Sequence, residues 1–168
     1  MIILGIDPGY AIVGYGVVEY KNPRFTTLDY GVLTTEAHTK SEKRLELLYQ
    51  GMNTLIETYR PDHMAIEELF FNTNITTGIQ VAQARGVLLL AGQQKGIDIF
   101  EYTPLQVKQS VVGYGRAEKS QVIAMVMSIL GIKNRIKPDD AADALAIAVC
   151  HGNSMKFGSI LNLGGIKL

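Results

Sequence analysis

The 168-residue chain contains one cysteine, five prolines and no tryptophan, and its 16 basic and 16 acidic residues balance to a formal charge of zero. A single cysteine, Cys150, excludes an internal disulfide framework. The longest apolar run, VLLLAG at 87–92, is too short to cross a bilayer. No basic segment precedes the apolar N-terminus, as it does in a signal peptide. These absences predict a protein of the reducing cytoplasm that has no membrane partner.

The composition is that of a folded domain. Hydrophobic residues make up 47% of the chain and charged residues 19%, which is typical of globular proteins. We predict a single domain over residues 1–152, followed by a tail at 153–168 whose weak pattern assigns it no role. The zero net charge, taken alone, argues against a nucleic-acid partner, because such binders usually carry a basic excess.

Hydrophobic periodicity predicts an α/β fold. Apolar runs and alternation indicate strands at 1–7, 12–20, 24–35, 63–68 and 97–103. Helical spacing indicates helices at 41–59, 74–94, 105–112, 119–130 and 141–151. An antiparallel meander followed by β-α-β-α crossovers gives a mixed five-stranded sheet with helices on both faces.

Four acidic residues stand where these elements begin or end. Asp7 closes the first strand and Glu67 the fourth, while Asp140 and Asp143 share one face at the start of the last helix. If the first and fourth strands are parallel neighbours, Asp7 and Glu67 lie side by side at the sheet edge where α/β proteins bind ligands. Asp139 is the alternative to Asp140 as the third acid, and it also suits a helix N-cap.

Taken singly, Asp7 suits a turn, and Asp139 and Asp140 suit a helix start. Glu67 and Asp143 lie among apolar residues, where acids are uncommon unless they are paired or bind a metal. Like charges so close together require a cation, and all-oxygen ligation favours Mg²⁺ or Mn²⁺. Two such ions can hold the attacking and leaving oxygens of a phosphoryl displacement.

The charge balance is compatible with a polyanionic substrate once the proposed site is set aside. Without its four acids, 12 acidic residues face 16 basic ones. Two divalent ions would add further positive charge to the site itself.

Five motifs then occur in register from residue 2 to about 151. They are GIDPGYAIVGYGVV (5–18), AIEELFF (65–71), QARG (83–86), QVKQSVVGYGRAEKSQV (106–122) and DDAADALAIAVCH (139–151). Together they resemble the RuvC-type Holliday junction resolvases. The resemblance implies an RNase H-like fold and a homodimer that cuts four-way DNA junctions symmetrically, with Mg²⁺ or Mn²⁺, in recombination and repair. It leaves open whether the RuvA and RuvB branch-migration proteins dock on this chain.

The resemblance also implies roles for single residues. The metal ligands of the family fall on Asp7, Glu67, Asp140 and Asp143, with two ions per site. Lys108 in QVKQ and Lys119 in AEKSQ match positions tied to catalysis and DNA contact. Each lies near a predicted helix start beside a glycine-containing loop, where ammonium and backbone N–H groups can meet phosphate.

Two phenylalanines follow Glu67 directly. In this family an aromatic side chain at the position of Phe70 stacks on a base at the opened centre of the junction. Such stacking contributes roughly 1–3 kcal/mol. The resemblance therefore assigns Phe70 to DNA binding, and we interpret Phe71 as a packing residue.

The second helix is the candidate dimer interface. Its small residues allow close approach, and Leu88, Leu89 and Leu90 cannot all face one core. The alternative is that the helix packs only on its own sheet.

Three other functions compete with this interpretation. Asp7–Gly16 also resembles the phosphate-binding hairpin of sugar kinases, actin and heat-shock ATPases, but those proteins need two such domains and this chain has room for one. An RNase H-like ribosomal-RNA processing nuclease of the YqgF type would lack the QVKQ and AEKSQ motifs. A non-catalytic junction-binding module is disfavoured by the intact set of carboxylates.

Overall fold

The computed structural model describes residues 1–21, 23–69 and 75–163. Five strands form one sheet, and they are β1 (Ile2–Asp7), β2 (Ile12–Lys21), β3 (Arg24–Thr34), β4 (His63–Glu67) and β5 (Asp98–Tyr102). The helices are α1 (Ser41–Tyr59), α2 (Ile75–Gln94), α3 (Pro104–Val112), α4 (Lys119–Leu130) and α5 (Asp139–Leu163). The predicted order of strands and helices is confirmed.

The sheet is mixed, with strand order β3-β2-β1-β4-β5. β1 pairs antiparallel with β2, and β2 with β3, which is the predicted meander. β4 runs parallel to both β1 and β5, because helices α1 and α2 return the chain to the same end of the sheet. The first and fourth strands are therefore parallel neighbours, as the carboxylate hypothesis requires.

The two faces of the sheet bury different helices. Leu4, Ile6 and Ile66 pack against α1 and α2, with Leu48 and Leu88 among their neighbours. On the opposite face, Ile3 and Ala65 pack against α3, α4 and the almost wholly apolar first half of α5. Since successive strand residues point to opposite faces, Asp7 and Glu67 belong to the face covered by α5.

Helix α5 is longer than the apolar pattern predicts. It begins at Asp139 rather than Ala141 and continues through Leu163 rather than ending at His151. Within the described ranges, no helix combines the length and the apolar character that crossing a membrane would require.

Candidate active site

The carboxyl ends of β1 and β4 bring the first two acids together. The pairing of the two strands runs to Ile6 and Ile66, so that Asp7 and Glu67 are the next residues on adjacent parallel strands. Both side chains are half-buried. The two carboxyl groups are close enough for the negative charge of Glu67 to raise the pKa of Asp7.

The first turn of α5 delivers the other two acids, and a glycine makes this possible. Gly14 of β2 lies directly opposite Asp7 in the antiparallel register. A Cβ atom on Gly14 would stand 2.1 Å from the carbonyl oxygen of Asp140. Only a residue without a side chain lets the start of α5 lie this close to the sheet. Asp140 and Asp143 are thereby carried to the edge that holds Asp7.

The acids at this edge of the sheet raise one another's pKa values. Burial, together with the negative charges of Glu67, Asp143 and Asp140, raises the pKa of Asp7 from 3.8 to about 8. Burial also raises the pKa of Glu67 and of Asp143. Like charges in a partly desolvated site disfavour each other's ionised forms, and such strongly shifted groups are typical of functional sites.

Asp139, the alternative third acid, has a different neighbour. It lies in the first turn of α5, and its Oδ1 is 3.9 Å from Nη2 of Arg135. Both Asp139 and Asp140 raise the pKa of Asp143, but of the two only Asp140 is among the causes that raise the pKa of Asp7. This arrangement favours Asp140 as the third acid of the site.

Two lysines border the acids from α3 and α4. The Lys119 ammonium contacts Oδ2 of Asp143 at 2.6 Å, and Lys119 is the first residue of α4. Lys108 lies on α3, whose start is fixed by reciprocal hydrogen bonds between Thr103 and Gln106. Both ammonium groups lower the pKa of Glu67 and so offset part of the effect of burial.

One pocket contains four of the six predicted catalytic residues. It has a volume of about 220 Å³. Its polar wall is formed by Glu67, Asp143, Lys108 and Lys119, and its apolar wall by Pro104, Val107, Val122, Ala146 and Ile147. The apolar wall lowers the local dielectric constant and so strengthens the electrostatic interactions of the polar groups.

The donor chemistry fits a hard divalent cation. The four acids supply only carboxylate oxygens, which suit Mg²⁺ and Mn²⁺ better than zinc, and the raised pKa of Asp7 reports a surplus of negative charge that a cation would offset. In the described part of the chain, no three His, Cys, Asp or Glu side chains already stand close enough to hold one ion. Asp7, Glu67, Asp140 and Asp143 are the residues that would hold such an ion.

Two of the predicted residues lie outside the described part of the chain, and the sequence analysis missed two residues that matter near the site. Phe70 and Phe71 fall in the segment that is not described. The role of Gly14 depends on tertiary contact, although its place in the GIDPGYAIVGYGVV motif was visible. Arg85, on α2, donates a hydrogen bond to the backbone of Glu67. The sequence could have drawn attention to it, because Arg85 is the only charged residue of that helix.

An α/β sheet of this order, with carboxylates gathered at the carboxyl ends of its central parallel strands, places the chain in the RNase H-like class. A family model described as "Crossover junction endodeoxyribonuclease RuvC" matches residues 3–151. The chain belongs to the RuvC family, and the predicted resemblance is confirmed.

Close relatives and a solved structure agree with this assignment. The chain is 58% identical to the crossover junction endodeoxyribonuclease RuvC of Clostridioides difficile over 98% of both chains. It is 60% identical to that of Ruminiclostridium cellulolyticum, over 96% of this chain and 97% of the relative. The structure of T. thermophilus RuvC in complex with a Holliday junction substrate superposes with a TM-score of 0.90 at 34% identity, covering 94% of this chain and 96% of the other.

Proposed function

We infer that this protein is a metal-dependent endonuclease that resolves four-way DNA junctions by paired, symmetric nicks. The observation that carries the inference is the convergence of Asp7, Glu67 and Asp143, with Lys119, at one edge of the sheet in a chain of the RuvC family. The T. thermophilus relative, which shares the fold over nearly the whole chain, holds a Holliday junction as its substrate.

Asp7, Glu67, Asp140 and Asp143 are proposed to hold two Mg²⁺ ions, or Mn²⁺ in their place. Bound there, the ions would supply a water of lowered pKa and offset the charge that develops on the leaving 3′ oxygen. The role of the protein is to bring four carboxyl groups to one edge of the sheet. The fold does this by placing two at parallel strand ends and two on a single helix turn.

Lys108 and Lys119 are proposed to bind the phosphates beside the scissile bond. Both line the pocket that contains Glu67 and Asp143, so a phosphate near the carboxylates would lie beside an ammonium group. Charge-assisted hydrogen bonds of this kind hold a phosphodiester in register for attack. Phe70, by family resemblance, is proposed to stack on a base at the centre of the junction.

A homodimer is proposed because a four-way junction has two-fold symmetry and two opposing strands must be cut. On α2, Leu88 is buried in the core while Ile79 and Leu90 are 55% and 49% exposed. Ile79, Gly86 and Leu90 fall along one stripe of the helix, and a Cβ atom on Gly86 would meet no atom within 4 Å. This stripe is the proposed contact between protomers.

Two further proposals concern the cellular setting. Proteins of the RuvA and RuvB kind are proposed as partners on the ground of family membership. The single cysteine, Cys150, is free and buried, which suits a reducing cytoplasm.

The direct test uses a synthetic four-way junction with Mg²⁺. We expect one nick on each of two opposing strands, with much weaker cutting of plain duplex or of an RNA–DNA hybrid. EDTA should abolish cutting while leaving junction binding. Binding without cleavage at any Mg²⁺ or Mn²⁺ concentration would instead establish a non-catalytic binding module, and preferred cutting of RNA would favour the processing-nuclease alternative.

The raised pKa of Asp7 predicts that metal binding depends on pH. A carboxyl group with a pKa of about 8 holds its proton at pH 7, and a metal ion must displace that proton. For one displaced proton, the Mg²⁺ concentration at half-saturation should be about tenfold lower at pH 9 than at pH 7. Calorimetric titration of the protein with MgCl₂ at the two pH values measures this ratio, and equal half-saturation at both values would contradict it.

Replacing Lys119 with alanine should weaken junction binding in a salt-dependent way. The variant loses one phosphate contact, so the slope of log K against log salt concentration should become shallower by about 1. Fluorescence anisotropy in EDTA, over a series of KCl concentrations, measures the slope. Lys21→Ala is the matched control, because Lys21 is 74% exposed at the opposite end of the sheet. An unchanged slope for Lys119→Ala would place this residue away from the DNA.

A further inference from the structure

Arg85 connects three elements directly behind the candidate active site. Its Nε donates a hydrogen bond to the carbonyl oxygen of Glu67 at 3.3 Å, and its Nη2 forms an ion pair with Oε2 of Glu101 on β5. The Arg85 side chain is only 15% exposed. It is also the only charged residue between Ile75 and Gln94. The single charged side chain of α2 therefore lies at the end of β4.

Arg85 contacts Glu67 just beyond the point where β4 stops pairing with β1. The pairing of β4 with β1 ends at Ile66, one residue before Glu67. On the other side, β5 holds the chain through the hydrogen bond from Glu68 N to Tyr102 O, at 2.9 Å. The Glu67 N–H and C=O groups point away from β5, because neighbouring residues of a strand direct their backbone groups to opposite sides. Arg85 thus supplies the donor that β1 no longer provides.

Arg85 approaches Glu67 from the face opposite its carboxylate. Its helix neighbours Ala84 and Leu88 pack with Ile6 and Ile66 on the α1–α2 face, whereas the Glu67 carboxylate belongs to the α5 face. The guanidinium therefore cannot share the pocket with the carboxylate, and its influence on the site passes through the Glu67 backbone. Pairing with Glu101 holds the guanidinium itself, since the planar fork can bond a carboxylate and a carbonyl at once.

We propose that Arg85 is a positioning residue for the reaction: it fixes the backbone of Glu67 from behind the sheet, so that the Glu67 carboxylate meets the divalent ions at the required place. This inference rests on the proposed function, in which Glu67 is a metal ligand. Outer partners that orient metal-binding side chains typically change metal affinity or activity by about 10–100-fold when they are replaced.

The experiment compares Arg85→Lys, Arg85→Gln and Glu101→Gln with the wild-type protein. Arg85→Lys keeps the positive charge but loses the planar guanidinium group that can bond two acceptors at once. Glu101→Gln removes only the ion pair, at a half-exposed carboxylate. The control is Lys95→Gln, which breaks the exposed 2.8 Å ion pair between Lys95 and Glu57, just beyond the C-terminal end of α2. Three quantities are measured: Mg²⁺ at half-maximal junction cleavage, the Mg²⁺-induced rise in melting temperature, and junction affinity in EDTA.

Both Arg85 variants should need at least about tenfold more Mg²⁺ for half-maximal cleavage, and saturating Mg²⁺ should raise their melting temperature less than it raises that of the wild type. Glu101→Gln should shift the Mg²⁺ requirement in the same direction by a smaller factor. Junction affinity in EDTA should stay within about twofold of the wild type. A general structural defect would lower this affinity as well. Lys95→Gln should match the wild type in all three quantities.

The proposal is overturned if the Mg²⁺ requirement of the Arg85 variants equals that of the wild type, or if they lose junction affinity in EDTA without any change in that requirement. Should both Arg85 variants fail to fold, Glu101→Gln decides, and an unchanged Mg²⁺ requirement in that variant overturns the proposal. A wild-type protein that cuts no junction at any Mg²⁺ concentration would refute the proposed function itself, which is a separate result.

Discussion

Replacing Asp7 with asparagine should abolish junction cleavage while sparing junction binding. The change removes one carboxylate from the centre of the site, where Glu67, Asp143 and Asp140 all act on it, and leaves the lysines in place. We expect the rate of single-turnover cleavage in Mg²⁺ to fall by at least about 100-fold. Replacing a residue that only orients a metal ligand already costs up to about 100-fold in activity, and Asp7 is proposed to be a ligand itself. Binding to the same junction in EDTA should change by less than about twofold.

The same variant should be more stable than the wild type when no divalent ion is present. The pKa of Asp7 in the folded protein, about 8, lies above its ordinary value of 3.8. The folded state therefore holds more protons than the unfolded state between these values, and its stability falls as the pH rises through this range. At pH 8 in EDTA, the asparagine variant should therefore melt several degrees above the wild type.

Asp98→Asn is the matched control for both measurements. Asp98 is exposed and stands at the start of β5, at the opposite edge of the sheet. This variant should keep full cleavage and an unchanged melting temperature. If Asp7→Asn loses junction binding and stability together with cleavage, Asp7 is a structural residue and the carboxylate site is refuted.

Local pattern was enough to predict the fold and the first half of the site. Each strand is a short apolar run between turn residues, so its end could be read from the sequence, and with it the places of Asp7 and Glu67. A helix between the meander and β4 predicted that β1 and β4 run parallel, but their adjacency was stated only as the condition under which the two acids meet. The register of β1 and β4 then sets the two acids side by side.

The second half of the site depends on contacts that have no local signature. Asp143 meets Lys119 across 24 residues of sequence, and Arg85 binds a backbone carbonyl, which every residue carries. Helical spacing showed that Asp140 and Asp143 share a face, but α5 is apolar nearly all round. For that reason its pattern could not show which side meets the sheet.

Tertiary packing also explains why α5 continues past His151. Gly152 and Asn153 have low helix propensity, so the sequence favours an end near His151. In the folded protein, Gly152 lies against the ring of Phe25, where a Cβ atom would stand 2.4 Å from the nearest ring carbon. The Asn153 amide donates to the Ser110 carbonyl at 3.3 Å. These contacts hold the backbone helical where propensity alone would not.

Replacing Gly14 with alanine should separate the two halves of the site. The added Cβ atom would stand 2.1 Å from the carbonyl oxygen of Asp140 and 2.6 Å from its carbonyl carbon. Both are backbone atoms that no side-chain rotation can move, so the first turn of α5 must shift away from β2. Overpacking of this kind costs about 1–3 kcal/mol. A displacement of about 1 Å at a catalytic group can reduce the rate by about 100-fold.

The direction of the stability change identifies the cause. In an open position of a strand, alanine is more stable than glycine by roughly 0.5–1 kcal/mol, so a destabilised Gly14→Ala variant reports the clash with α5. Gly51→Ala is the matched control, because its Cβ atom would meet only the flexible end of the Leu33 side chain, at 3.0 Å. We expect thermal unfolding to show Gly14→Ala below the wild type and Gly51→Ala close to it. Single-turnover cleavage, measured well below both melting temperatures, should be lost only in Gly14→Ala. Wild-type cleavage by that variant would mean that the α5 acids do not depend on close contact with β2 to reach Asp7.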